Sequence, residues 1–324
     1  MPELPPIEVL PRDLSAWEKG NTGTPFVHRF ESGVAGPTAM VVGLTHGNEF
    51  CGAETLHWAL SQGLRPRKGT LVLAFANVAA YRSFDAAKPL DSRFIDRDMN
   101  RVWRSDWLEN ERTVEAARAR ELRPFVDEAD FVLDIHSTTF DVRPFFVGAR
   151  VARARALAER IGYPRTILLE DGVFEGRTLI EYAPFAAKAG DKAALVVECG
   201  AHFLARSVDV AKATFLDFLA SLDMLDPAFV KAHRPTVAPA PVGIYDVSVV
   251  HVAQSDAPHF VRPFVGFEEV EEGTLIARDG DREIRAPYPR CTVLFPKAIP
   301  AKGQELVTLG QRVDLKSLVT LWKY

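Results

Sequence analysis

Residues Ala39–Cys51, AMVVGLTHGNEFC, constrain this chain more than any other stretch. A short run rich in Val and Leu that ends in glycine and then histidine predicts a buried parallel strand, which delivers its last residues to the carboxyl edge of a sheet. Open α/β sheets keep their chemistry at that edge. His46 and Glu49 stand three apart, so a tight turn, or the first turn of a following helix, can aim an imidazole and a carboxylate at one point. Such a pair is two thirds of a zinc site, because catalytic zinc commonly takes three protein groups and leaves a fourth position to water. Phe131–His136, FVLDIH, predicts a second core strand and supplies the missing ligand. The sequence therefore points to one zinc ion held by His46, Glu49 and His136.

The rest of the chain alternates between the same two textures. Pro25–Phe30 reads as a short strand, Ala53–Gln62 as a helix stopped by Gly63, and Gly69–Ala76 as a second buried strand. Tyr81–Trp103 is a long polar loop, and loops of that length inside a compact domain tend to be functional. Asp106–Ala129 predicts one long crossover helix with Leu108, Val114, Ala117, Leu122 and Val126 inward. A helix at 151–161, a strand at Thr166–Leu169, a helix at Glu175–Ala189, a core strand at Ala193–Cys199 and a helix at Arg206–Leu225 follow. This order predicts an α/β fold, a mostly parallel, mixed sheet with helices on both faces.

Past Pro227 the pattern changes. Pro235, Pro239 and Pro241 mark a linker, and Ile244–Val252, a turn at Asp279-Gly280, Thr292–Phe295 and Gln304–Leu309 read as strands. The expected division is a catalytic domain over 1–232 and a small β-rich domain over 233–324, with the acidic run Glu268–Glu272 on a solvated edge.

Composition narrows the function classes. Of 324 residues, 39 are Lys or Arg and 43 Asp or Glu, and a net charge of -4 argues against nucleic acid as a partner. No uncharged run is long enough to cross a bilayer, and the chain opens on Pro2, Glu3, Pro5 and Pro6 rather than a basic and then apolar leader. Cys51, Cys199 and Cys291 are scattered and odd in number, which fits reduced thiols in the cytoplasm. The net charge leaves room for a local basic pocket, and the expected partner is a small-molecule substrate.

Three further groups carry chemistry. Glu198 ends the ALVVE strand, where burial raises a carboxyl's pKa and suits it to general-base work beside a metal; the competing role is an edge residue paired with Lys or Arg. His202 is a substitute ligand or shuttle. Arg93, Asn100 and Arg101 form an anion-handling set: Arg101 with Asn100 suits an amino-acid carboxylate and Arg93 a developing oxyanion, although Asp91, Asp96 and Asp98 could instead tie the loop into salt bridges. Asp134, two residues before His136 and on the same strand face, is placed to accept the N–H of that imidazole; the competing role is a plain polar residue near a strand end. His57, inside its helix beside Trp58, reads as structural.

THGNE at 45–49, RFIDRDMNR at 93–101, DIHSTT at 134–139 and VVECG at 196–200 together resemble the aspartoacylase and succinylglutamate desuccinylase family, a branch of the zinc carboxypeptidase-like hydrolases. The resemblance implies a zinc-carboxypeptidase-like fold with a β-rich C-terminal domain. It also implies His46, Glu49 and His136 as zinc ligands, Glu198 as base, Arg93 as carbonyl polariser, and Asn100 with Arg101 as carboxylate clamp. In aspartoacylases proper a further Arg holds the substrate's acid side chain; Arg177 and Lys188 are the candidates here, and Tyr288 is a candidate contact from the C-terminal domain. The expected activity is zinc-dependent hydrolysis of the amide of an N-acyl amino acid or similar small carboxylate. The rivals are a carboxypeptidase-like metallopeptidase and a non-catalytic metal- or ligand-binding module.

Overall fold

The computed structural model describes residues 4–172, 175–297 and 302–313; Pro2 and Glu3 of the opening run lie outside them. In chain order the first half contains β1 (Val27–Glu31), β2 (Thr38–Gly43), α1 (Phe50–Ser61), β3 (Thr70–Phe75), α2 (Val78–Arg82), α3 (Ser105–Asn110), α4 (Val114–Glu128) and β4 (Phe131–Thr138). Then come β5 (Phe145–Ala149), α5 (Ala152–Ile161), β6 (Thr166–Glu170), α6 (Ala183–Ala186), β7 (Ala193–Ala201), α7 (Ala205–Ser221) and α8 (Pro227–His233). The remainder is β8 (Gly243–Val252), β9 (His259–Phe260), β10 (Glu268–Val270), β11 (Leu275–Asp279), β12 (Arg282–Arg285), β13 (Cys291–Pro296) and β14 (Glu305–Arg312).

The apolar runs become the middle of an 11-stranded mixed sheet, ordered β1-β3-β2-β4-β7-β5-β6-β8-β14-β13-β10. Strands buried on both faces must be apolar at every position, and the side chains of β2 divide accordingly. Ala39 and Val41 join Leu71, Leu133, Ile135 and Leu195 under α1, α5 and α7. Met40 and Val42 join Val72, Val132, Ala194 and Val196 under α4. Asp134, His136 and Glu198 fall in phase with Val132 and Val196, so the polar ends of β4 and β7 face the α4 side.

Three local differences from the sequence-based expectation have physical causes. The long helix at Asp106–Ala129 is two, because Glu111 is extended and Thr113 caps a new start, its side chain accepting from the Ala116 N–H at 3.2 Å. The phase of α4 then follows buried Glu115, whose carboxylate accepts the backbone N–H groups of Ile95, Asp96 and Arg97 at 2.7, 3.1 and 3.1 Å. Its inner face is consequently Ala116, Ala119, Leu122 and Val126, while Val114 and Ala117 are exposed. Thr113→Ala is expected to lower stability by about 1 kcal/mol, read from a urea titration.

Glu175–Ala189 holds only a 3-10 turn at Leu179–Glu181 and the single turn of α6, because Pro184 has no N–H with which to continue a helix. The sequence-based expectation also omitted α2, β5, α8 and β9. β5 enters antiparallel to β7, with Phe145 opposite Glu198. The strands after residue 232 extend the central sheet: β8 pairs in parallel with β6, and β14, β13 and β10 add antiparallel strands. Glu268–Val270 forms the outermost of these, and a separate small sheet is ordered β12-β11-β9. Among the described residues no helix is long and apolar enough to cross a membrane.

Candidate active site

The turn after β2 is built by a close backbone approach. A Cβ on Gly47 would lie 2.4 Å from Ala80 C, Tyr81 N and Ser92 O, so only glycine lets the 81–103 loop dock there, and the Gly47 N–H donates to the Arg93 carbonyl at 3.0 Å. His46 is thereby pinned between the strand end and the loop. Glu49 occupies the N-cap position of α1, and its Oε2 accepts the Ser137 N–H at 3.1 Å from the end of β4.

His46, Glu49 and His136 are buried, and one ligating atom from each lies within 4.8 Å of the other two. His46 Nδ1 is 2.8 Å from Glu49 Oε1, and His136 Nδ1 is 3.0 Å from Glu49 Oε2. On the far side, His46 Nε2 is 2.9 Å from Asp98 Oδ1. His136 Nε2 is also 2.9 Å from a carboxylate, Asp134 Oδ2, although out of line for a hydrogen bond. Thr45 Oγ1 donates to the other Asp134 oxygen at 2.8 Å. With Nε2–H of each ring directed at its outer carboxylate, each Nδ1 turns a lone pair toward a Glu49 oxygen. A cation among the three removes that repulsion, and tetrahedral zinc with bonds of ~2 Å holds its ligand atoms about 3.3 Å apart. The residues fit a zinc ion. Burial works against charge on Glu49 and His136, yet the two imidazoles hold Glu49 well below the usual carboxylate range, and Asp134 with Glu49 holds His136 well above the usual imidazole range.

The same three residues line a cavity whose empty volume, open mouth included, is about 730 Å³. Glu198 lies on β7 in register with His136, and its Oε2 is buried with no hydrogen-bond partner among the described residues. Burial, with the charge of Glu49 nearby, pushes its carboxyl up to about 8. Arg93 reaches Glu49 Oε1 at 3.2 Å and Asp98 Oδ2 at 3.1 Å. Asn100 Oδ1 accepts the Leu179 N–H at 3.0 Å, so the donor end of its amide is what it offers the cavity. Arg101, beside it, donates to the Asn100 carbonyl at 2.7 Å. His202 also lines the cavity; its Nδ1 is 2.7 Å from Ser137 Oγ, and burial drives its pKa down to about 3, which keeps the ring neutral.

Other residues fall elsewhere. Arg177 pairs with Glu181 at 3.3 Å and Lys188 is exposed; neither lines the cavity. The Tyr288 hydroxyl pairs with Ser248, and His57 accepts from the Trp17 indole at 3.0 Å. Cys51, Cys199 and Cys291 are buried free thiols. Conversely, sequence reading did not single out Glu170, Phe295, Lys297, Glu305 and Thr308, all of which line the cavity. Asp98 was noted only as a salt-bridge partner, though its place in RDMNR, two residues before Asn100, was the available signal.

Residues 35–217, more than half of the chain, match the sequence profile of the succinylglutamate desuccinylase/aspartoacylase catalytic domain. The chain is 25% identical over 290 residues to the succinylglutamate desuccinylase of Erwinia tasmaniensis, an alignment that covers 82% of each. The fold is similar to the crystal structure of succinylglutamate desuccinylase from Vibrio cholerae, with a TM-score of 0.65, 19% identity and coverage of 90% of this chain and 86% of that one. It is also similar to a product-bound structure of an ectoine utilization protein from Ruegeria pomeroyi, with a TM-score of 0.60, 18% identity and 88% of each chain covered. The matched profile runs from the start of the His46 strand to the helix after Glu198, and on that ground the chain belongs to the succinylglutamate desuccinylase/aspartoacylase family of hydrolases.

Proposed function

We propose that the chain is a zinc-dependent amidohydrolase that removes the acyl group from an N-acyl amino acid or a similar small carboxylate. The observation that carries this reading is the convergence of His46, Glu49 and His136 in one cavity with Glu198, whose Oε2 is buried and has no hydrogen-bond partner among the described residues. Held by those three residues, zinc would supply a Lewis acid and lower the pKa of water at the site. Asp98 and Asp134 would fix the ring orientation of His46 and His136. Glu198 takes the proton of the attacking water and returns it to the leaving nitrogen, and its raised pKa suits both steps near neutral pH. Arg93 counters the negative charge that builds on the acyl oxygen. Asn100 and Arg101 hold the substrate carboxylate, with Arg101 providing the charged fork. We further propose that residues 1–232 carry the chemistry, that 233–324 close the cavity through Lys297 and Glu305, and that the protein works in the cytoplasm.

A panel of N-acyl amino acids set against short peptides tests the reading. Hydrolysis of the N-acyl amino acids, with peptides at least ~100-fold poorer in kcat/KM, is expected, a discrimination worth about 3 kcal/mol. Turnover of peptides alone would make the chain a carboxypeptidase-like enzyme.

A further inference from the structure

Glu170, the last residue of β6, is 8% exposed and lines the same cavity as the His46, Glu49 and His136 cluster. No described residue hydrogen-bonds its carboxyl. The acids and bases around it are engaged with other groups. Glu181 accepts from Gly172 N at 2.6 Å and from Thr178 N and Oγ1 at 3.0 and 2.9 Å. Arg150 pairs with Asp246 at 2.8 Å and donates to the Val247 carbonyl at 2.9 Å. Glu305 accepts from Thr308 and faces Lys297 at 3.8 Å. Arg101, which lines the same cavity, and Arg150 attract the charge of Glu170, whereas Glu181 and Glu305 repel it. Burial, reinforced by Glu181, pushes Glu170 up to about 8. A buried carboxyl so placed needs a proton or a cation.

Among the described residues, no cation on this side of the cavity is left without an acidic neighbour for a second substrate carboxylate to take. Arg177 and Lys188 are outside the cavity, and Lys297 faces Glu305.

We propose that Glu170 is a specificity-determining residue that pairs with a cationic side chain, so that the preferred substrate is the Nα-acyl derivative of a diamino acid. The inference rests on the preceding reading of the chain as an N-acyl amino acid hydrolase. The substrate's carboxylate lies on Arg101 and its side-chain ammonium on Glu170, opposite charges on residues of opposite sign. On binding, Glu170 gives up its proton and forms an ion pair with the ammonium, which is already protonated at neutral pH.

Two measurements test this. The zinc-loaded protein is assayed on the Nα-acetyl derivatives of diamino acids with two, three or four side-chain methylenes, and on Nα-acetylglutamine and Nα-acetylglutamate. At least one diamino substrate should exceed acetylglutamine, and acetylglutamine exceed acetylglutamate, by roughly 10-fold each in kcat/KM. Glu170→Gln should erase the preference for the amine, mainly through KM, and leave acetylglutamine within about 2-fold.

Calorimetric titration of the free diamino acids in buffers of different ionisation enthalpy should show net proton release at pH 7 with the wild type and none with Glu170→Gln. Preference for acetylglutamate, an equal loss on every substrate, or binding without proton release overturns the proposal. An equal loss would make Glu170 a positioning residue for Arg101. Failure to hydrolyse any N-acyl amino acid overturns the hydrolase reading instead, and proton release still reports on Glu170. If the variant does not fold, the wild-type ranking and proton release decide.

Discussion

Glu198→Gln should lower kcat by about 10²- to 10⁴-fold, the usual worth of a positioned general base, while zinc content and KM change little. The amide keeps the volume and loses only the capacity to carry a proton. The same substitution should raise the melting temperature of the chelator-treated protein at pH 7. An unfolded Glu ionises near 4.3, whereas burial holds folded Glu198 protonated up to about 8. Between those values the unfolded state binds fewer protons than the folded one, so stability falls as pH rises through the window and levels off above it. A neutral amide removes that loss, on the order of 1–3 kcal/mol at pH 7. Hydrolysis at the wild-type rate by Glu198→Gln protein that still holds zinc would take Glu198 out of the mechanism.

Chelation of the wild type should abolish turnover, and one equivalent of zinc per chain should restore it. The melting temperature should fall on chelation as well, because an ion that binds only the folded chain stabilises it by about 4 kcal/mol at 1,000 times its dissociation constant. Glu49→Gln should reproduce the loss of zinc, since it takes away the carboxylate shared by both imidazoles. Turnover by protein shown to be free of metal by elemental analysis would remove zinc from the proposal. No activity on any amide despite full zinc loading would favour a binding module over an enzyme.

How much of the site was legible depends on how each residue is held. His46, His136 and Glu198 end apolar runs, so strand polarity alone sends them to one sheet edge, and parallel pairing of β4 with β7 sets His136 beside Glu198. Glu49 follows from its spacing to His46 along one turn. Asp98 reaches His46 only because Gly47 admits the loop and buried Glu115 grips residues 95–97, contacts with no periodic signature. The break before α4 was hidden for a similar reason: an apolar spacing continuous enough for one helix was outweighed by the cap at Thr113 and the burial of Glu115.

What the amino-acid order determined by itself is the core strands other than β5 and the end of each at which polar residues emerge. Burial on both faces demands unbroken apolar runs, and the chain direction then decides where each run delivers its polar residue. Only the tertiary structure decided that the strands after residue 232 join the same sheet and that Glu170, Lys297 and Glu305 share a cavity with His46, Glu49 and His136. That outcome rests on pairings between distant segments, such as β6 with β8 and β8 with β14, whose free energy depends on side chains meeting across the fold rather than on any local pattern.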